Sequence, residues 1–138
     1  MKIKMVSMDE VAEFAHVRMQ DKVIFILFGG ERLSSCDEGV AAFVDGKMVG
    51  VATISPESMA RDNSTRIVGL YIDPAYRRKG HGVALMATAV DRCRVRGFFR
   101  VRVDVMSTGA KKAVKRLPAE MRAMLMVVDH GPELDRMS

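Results

Sequence analysis

The chain has no tryptophan, only two cysteines and four prolines, and aromatic residues make up just 6% of it. Cys36 and Cys93 stand apart with no Cys-x-x-Cys, and His16, His81 and His130 are scattered. Such spacing suits neither a zinc site nor a disulfide framework. No metal is expected, and a reducing, cytoplasmic setting is the default. No apolar stretch approaches the ~18 residues of a membrane helix; the run from 23 to 28 has only six, and none is longer. Residues 1–6 interleave Lys2 and Lys4 with apolar side chains and do not read as a secretory leader. Repeats, low-complexity tracts and linkers are missing too.

What is present is a chain of 138 residues, 49% of them hydrophobic. That suffices for one domain over 1–138 with a real core and is too little for two. Lys and Arg number 22 against 17 Asp and Glu, a net charge of +5. The balance suits anionic partners, whether nucleotide phosphates, nucleic acid or an acidic surface. Twelve methionines are read as adaptable core filler.

The periodicities order the chain. Residues 3–6 alternate as a short strand. Ser7 and Glu10 form a capping box for a helix that places Val11, Phe14, Ala15 and Arg18 at helical spacing and runs to about Gln20. Residues 23–28 fit either a buried helix or a strand, closed by Gly29 and Gly30. Asp45-Gly46 joins strands at 40–44 and 48–54 into a hairpin. A polar loop is expected over 55–64, then a strand at 66–72 stopped by Asp73-Pro74. A helix over 83–96 carries Leu85, Ala89 and Cys93 in one stripe and Met86 and Val90 in the next, and Gly97 stops it. Residues 99–105 alternate as a strand, 110–117 form a short helix before Pro118, and 124–128 form a last strand. An antiparallel run followed by βαβ gives an α+β fold: a mixed, mainly antiparallel central sheet flanked by helices.

The chemistry concentrates between the 66–72 strand and the 83–96 helix. There Arg77-x-x-Gly80-x-Gly82 forms a tight basic loop with a helix starting at once. Glycines let the backbone turn and approach a ligand closely. Free amides and the dipole at a helix start attract an anion. Arg77, Arg78 and Lys79 add positive charge, so a pyrophosphate is the natural occupant. The loop is neither a P-loop nor a Rossmann fingerprint, since Gly-Lys-Ser/Thr and Gly-x-Gly-x-x-Gly are both missing.

Leu-Tyr-Ile-Asp-Pro-Ala-Tyr-Arg-Arg-Lys-Gly-His-Gly at 70–82 resembles the acetyl-CoA-binding motif of the GNAT superfamily of N-acetyltransferases. The resemblance is close over 66–106 and extends in element order over nearly the whole chain. It implies the acyl-CoA N-acyltransferase fold and acetyl transfer from acetyl-CoA to an amine. It also implies that the amides of Arg78, Lys79, Gly80, His81, Gly82 and Val83 hold the CoA pyrophosphate. Arg77 stands at the motif's Arg/Gln position. The main chain of Leu70, Tyr71 and Ile72 would pair with the pantetheine arm like an added strand.

Amine acetylation needs a proton removed from the amine, the thioester carbonyl polarised and the thiolate protonated. Related proteins place a Glu on the strand after the loop helix, and here Asp104 matches in type. Its functional reading is a general base, acting directly or through water; its ordinary reading is a salt pair with Arg100 or Arg102. The Tyr that usually serves as acid is missing: Val114, Lys115, Arg116 and Leu117 stand where it would fall. The helix-opening Asn is replaced by Ser107, Thr108 or Gly109.

Other residues are read more plainly. His81 is expected to be solvent-exposed at a variable motif position. Tyr71 lines the acyl site or the core, Tyr76 packs on the loop, and Cys93 is core. Glu31, Asp37 and Glu38 would lie near the acceptor if the family layout holds. Related folds often add a seventh strand, which the short C-terminus does not supply. The apolar segment at 121–128 therefore motivates a homodimer.

The leading expectation is a direct-attack N-acetyltransferase with no covalent acetyl-enzyme. The alternative is a non-catalytic CoA-binding or interaction module on the same fold. Nucleic-acid binding ranks well below both, because no basic–aromatic stacking pattern accompanies the charge, and no membrane partner is expected. The acceptor amine stays open among a peptide N-terminus, a lysine, an aminoglycoside and a polyamine.

Overall fold

The computed structural model describes residues 1–56 and 64–137. Its elements run β1 (Lys2–Val6), α1 (Met8–His16), α2 (Lys22–Phe28), α3 (Glu31–Ser34), β2 (Glu38–Val44), β3 (Lys47–Ser55) and β4 (Ser64–Ile72). A 3-10 turn (Pro74–Tyr76) then leads to α4 (His81–Val95), β5 (Arg100–Val105), α5 (Thr108–Lys115), α6 (Ala119–Arg122), β6 (Leu125–Asp129) and a closing 3-10 turn (Glu133–Met137). The strands form one sheet in sequence order. Pairing is antiparallel from β1 to β4 and parallel from β4 to β6.

Local chemistry sets most of these boundaries. Ser7 accepts from the Glu10 amide and the Glu10 side chain accepts from the Ser7 amide, completing the capping box. α1 stops at His16, short of the expected Gln20. Arg18 beyond it leaves the helical path to grip Asp73 at 2.6 and 2.7 Å while lying 3.5 Å over the Phe14 ring. Residues 23–28 are helical: Asp21 caps them by accepting from the Val23 amide. Asp45 and Gly46 both take positive φ, 51° and 76°, the type I′ geometry that matches strand twist. The polar loop expected over 55–64 falls largely outside the described residues, and β3 and β4 reach in to Ser55 and Ser64.

Two apolar layers cover the sheet. On one face α4 buries Leu85, Met86, Ala89, Val90 and Cys93 against Val40, Ile54, Ile67, Val101 and Val103. On the other, Val11, Phe14, Ile24, Leu27 and Phe28 of α1 and α2 pack on Ala41, Val51 and Tyr71. Each such large side chain contributes about 1.5–3 kcal/mol by leaving water.

Two irregularities of β4 position the site. First, Thr53 pairs with Gly69 but Ile54 pairs with Ile67, so Val68 is an extra, bulged residue. The bulge turns Ile67 toward α4, while Gly69 remains on the α2 face, where an added Cβ would meet the Phe28 ring at 2.8 Å. Second, β4 and β5 pair only from Ser64↔Arg100 to Ile67↔Val103. Beyond that point the strands part. β6 follows β5 along its whole length, from Val101↔Leu125 to Val105↔Asp129. The sheet thus opens as a V between β4 and β5.

Candidate active site

The V begins where the pairing ends. Its walls include Val68, Gly69 and Leu70 of β4, Val103 and Asp104 of β5, and Ser107 and Ala110 at the start of α5. Leu27 of α2 and Leu134 of the final turn close it on one side, leaving a cavity of about 30 Å³. A larger open hollow of about 620 Å³ lies alongside, lined by Asp21, Lys22, Arg77, Arg136 and Met137 among others. The final turn lines both, Leu134 on the cavity and Arg136 and Met137 on the hollow; it is fastened by the Leu134 amide donating to the Met106 carbonyl at 2.9 Å and by Asp135 accepting from the Thr108 amide at 3.1 Å.

The glycine loop stands at the mouth of the V, between β4 and α4. Arg78 has φ 63° and Gly80 φ 84°, so the chain makes a left-handed turn directly into the helix. Arg77 donates from its amide to Pro74, and the next loop or first-turn amide with a backbone partner is Ala84, which bonds the Gly80 carbonyl. The amides of Arg78, Lys79, Gly80, His81, Gly82 and Val83 therefore have no backbone partner among the described residues. They gather at the positive end of a 15-residue helix. An added Cβ on Gly82 would find only Ala113 Cβ, at 4.0 Å. The space over that position is open, so the cradle fits a pyrophosphate approaching the bare backbone.

Side chains reinforce the loop from behind. Arg77 Nε donates to the Ile72 carbonyl at 2.8 Å, fastening the loop to the end of β4. Lys79 lies 5.8 Å from the Tyr76 ring, so Tyr76 packs on the loop as expected. His81 corrects the expectation of exposure. It is 8% exposed, with Nδ1 against the Met1 sulfur, because the first side chain of α4 folds back over the start of β1.

Along β4, Leu70, Tyr71 and Ile72 pair with β3 on one edge only. Their other edge faces the V, where β5 has already diverged. The Tyr71 side chain belongs to the core: it stacks edge-on with Phe14 and donates to Asp21 Oδ2 at 2.7 Å. Burial pushes its hydroxyl up, and the Asp21 carboxylate adds to this, so Tyr71 is a poor acid. Val68, at the bulge, offers its carbonyl to Arg32 Nη2 at 2.6 Å.

Asp104 sits near the vertex, its side chain 6% exposed. Its Oδ1 meets His130 Nε2 at 2.9 Å and Arg102 Nη2 at 3.1 Å, and its Oδ2 lies 3.4 Å from Arg66 Nε. Burial alone would raise its pKa. The hydrogen bonds from His130 and Arg102, with the charges of Arg102 and Arg66, outweigh burial and hold it below the ordinary carboxylate range. The sequence suggested the Arg102 pair but not Arg66 or His130. Their only common signal is position, at the register partner of Arg102 and just beyond the end of β6.

Several other candidates lie elsewhere. Asp37 binds Arg96, and Glu38 binds Arg92 and Arg96, tying the start of β2 to the end of α4. That places both carboxylates at the end of the sheet opposite the glycine loop, away from the acceptor end foreseen for them. Cys93 is fully buried, and burial pushes its thiol up to about 12. At the end of α5 and just beyond it, Val114 and Leu117 are buried while Lys115 and Arg116 are exposed, and none replaces the missing Tyr.

Residues 7–117 match the family model of the acetyltransferase (GNAT) family. The chain belongs to the GNAT family. Among solved structures, this GNAT fold is similar to a ribosomal-protein-alanine N-acetyltransferase from Brucella melitensis, with TM-score 0.62 and 19% identity over 86% of this chain and 93% of that one. An aminoglycoside N-acetyltransferase solved with CoA gives TM-score 0.60 and 16% identity over 85% and 90% of the two chains. An aminoglycoside acetyltransferase from an uncultured soil metagenomic sample gives 0.56 and 17% over 83% and 86%. No curated protein matches. At these identities the structural neighbours speak for the GNAT fold, with its splayed sheet and loop-to-helix turn, rather than for an acceptor.

Proposed function

We propose that residues 1–138 act as one N-acetyltransferase domain that moves an acetyl group from acetyl-CoA to an amine by direct attack in a ternary complex. The observation that carries this reading is the coincidence of two open features: bare amides at residues 78–83 and a β4 edge that β5 leaves open beyond Ile67, leading from them into the V. One suits a pyrophosphate and the other an extended amide-bearing arm. The family match and the neighbour solved with CoA support the same ligand.

In this reading the loop amides, with Arg78 and Lys79, bind the diphosphate. Arg77 keeps the loop on β4. Backbone groups of Leu70 and Ile72, which face away from β3, orient the pantetheine, and the thioester carbonyl lies against the β4 backbone near the bulge, where amide dipoles favour the oxyanion. Asp104, held at the vertex by Arg66, Arg102 and His130, supplies the negative charge that directs removal of the amine's proton. The thiolate takes its proton from solvent. Cys93, buried and hard to ionise, forms no acetyl-enzyme.

Calorimetry with acetyl-CoA tests the binding half. Millimolar or tighter affinity is expected, and no heat at ~1 mM ligand, about −4 kcal/mol, would remove the proposal. Thiol release with a panel of amines tests the chemical half. CoA binding without turnover on any amine would leave a binding module on the same fold.

A further inference from the structure

Asp104 is poorly placed to hold a proton itself. Both its oxygens face cations, and its side chain is almost wholly covered. His130 differs in each respect. Its side chain is 41% exposed, so a proton taken up there has a way out to water. Its backbone is anchored, the amide donating to the Val105 carbonyl at 2.8 Å. Gly131 then reverses the chain with φ 80° while its amide donates to Asp129 Oδ1 at 2.8 Å. The imidazole is thus held at the end of β5, with Nε2 on a carboxylate that lines the V. A carboxylate facing one ring nitrogen fixes the proton there and leaves a lone pair on the other.

We propose that His130 Nδ1 is the proton acceptor for the incoming amine, directly or through one water, and that Asp104 is the positioning residue that fixes its tautomer. The inference rests on the acetyl-transfer reading of the V. The alkylammonium gives one proton to Nδ1, making an imidazolium that Asp104 stabilises. The freed amine forms a C–N bond to the thioester carbon. The C–S bond then breaks, the amide nitrogen sheds its second proton to water, and the thiolate takes a proton from water. His130 returns its proton to solvent, so one proton is released per turnover. The charged groups around the ring are Asp104 and Arg102 from β5, Arg66 from β4, and Asp129 from β6, itself paired with Lys111 of α5 at 3.0 Å.

Two measurements test this. Ring nitrogen NMR shifts of His130 in neutral solution need no substrate. A single tautomer protonated on Nε2 is expected, replaced by a mixture in Asp104→Asn. A mixed or Nδ1-protonated ring in the unaltered protein overturns the proposal whether or not turnover is found. With an accepted amine, His130→Gln should lower kcat about a hundredfold. It should leave acetyl-CoA affinity intact and remove the acid limb of the kcat/KM profile, and added imidazole should rescue His130→Ala. Turnover unchanged in His130→Gln defeats the dyad while leaving acetyl transfer standing. Loss of acetyl-CoA binding by the unaltered protein defeats the acetyl-transfer reading instead.

Discussion

Gly80 and Gly82 stand two positions apart and serve different physical needs. Gly80 has φ 84°, which costs any residue with a Cβ about 1 kcal/mol or more. Gly80→Ala should therefore lower both stability and cofactor affinity. Gly82 lies inside the first turn of α4, and an added Cβ there touches nothing closer than Ala113 Cβ at 4.0 Å. In a helix Ala is favoured over Gly by up to about 1 kcal/mol. Gly82→Ala should thus keep or raise the melting temperature while weakening acetyl-CoA binding at least tenfold, because the methyl occupies the space the diphosphate needs. Thermal scanning and calorimetry on the one variant separate the two effects. A variant that binds acetyl-CoA normally would show that the diphosphate does not use the space beside Gly82. His81, between them, teaches a related lesson. Its motif position is exposed in pattern, yet the side chain is covered by Met1, eighty positions away in sequence. Local spacing reads the backbone of a loop well and the fate of its side chains poorly.

At the level of elements, α2 and β4 meet at Gly69. Its missing side chain lets the Phe28 ring lie where a Cβ would be 2.8 Å from Cε1. Gly69→Ala should destabilise the protein by about 1–3 kcal/mol through overpacking, seen as a lower denaturant midpoint with an unchanged slope. The start of β2 is tied to the end of α4 by ion pairs. Hydrogen bonding to Arg92 holds the Glu38 carboxyl below its ordinary range, against partial burial and with help from the charge of Arg96. A depressed folded value means this contribution is present above the unfolded pKa of about 4.3 and is lost as pH falls through the folded one. Glu38→Gln should be less stable than the unaltered protein near pH 7, and the difference should shrink below about pH 4. A constant difference would assign the loss to packing. The hairpin, the capping box and α4 were legible because each is specified by neighbours in sequence. α2 was not: residues 23–28 are uniformly apolar, and only the Asp21 cap decides for helix. The Val68 bulge carries no residue code at all, since it records a register shift against β3.

Across the whole molecule, the contiguous half of the site was readable and the assembled half was not. The loop at 77–83 is one segment. Asp104, His130 and Arg66 come from two strands and a turn, and they meet only because β5 lies between β4 and β6. That same layout divides the sheet into two parts, β1–β4 and β5–β6, joined directly, among the described residues, over Ser64–Ile67 and Arg100–Val103. α4 and the final turn bridge the rest. A ligand that fills the V touches both parts and should act as a staple between them. At a hundredfold excess over its dissociation constant, acetyl-CoA would add about 2.7 kcal/mol to stability. For a domain of this size that raises the melting temperature by roughly 5–10 °C. The gain should have a spatial pattern in hydrogen exchange. Amides at residues 78–83, with those of Leu70 and Ile72, should slow most, because they acquire partners. Those of β5 and β6 should slow together, because separation of the two parts becomes rarer. Those at the β1–β2 edge should change least. Uniform protection throughout would indicate only global stabilisation, and protection confined to the loop would mean that the diphosphate binds while the pantetheine stays outside the V.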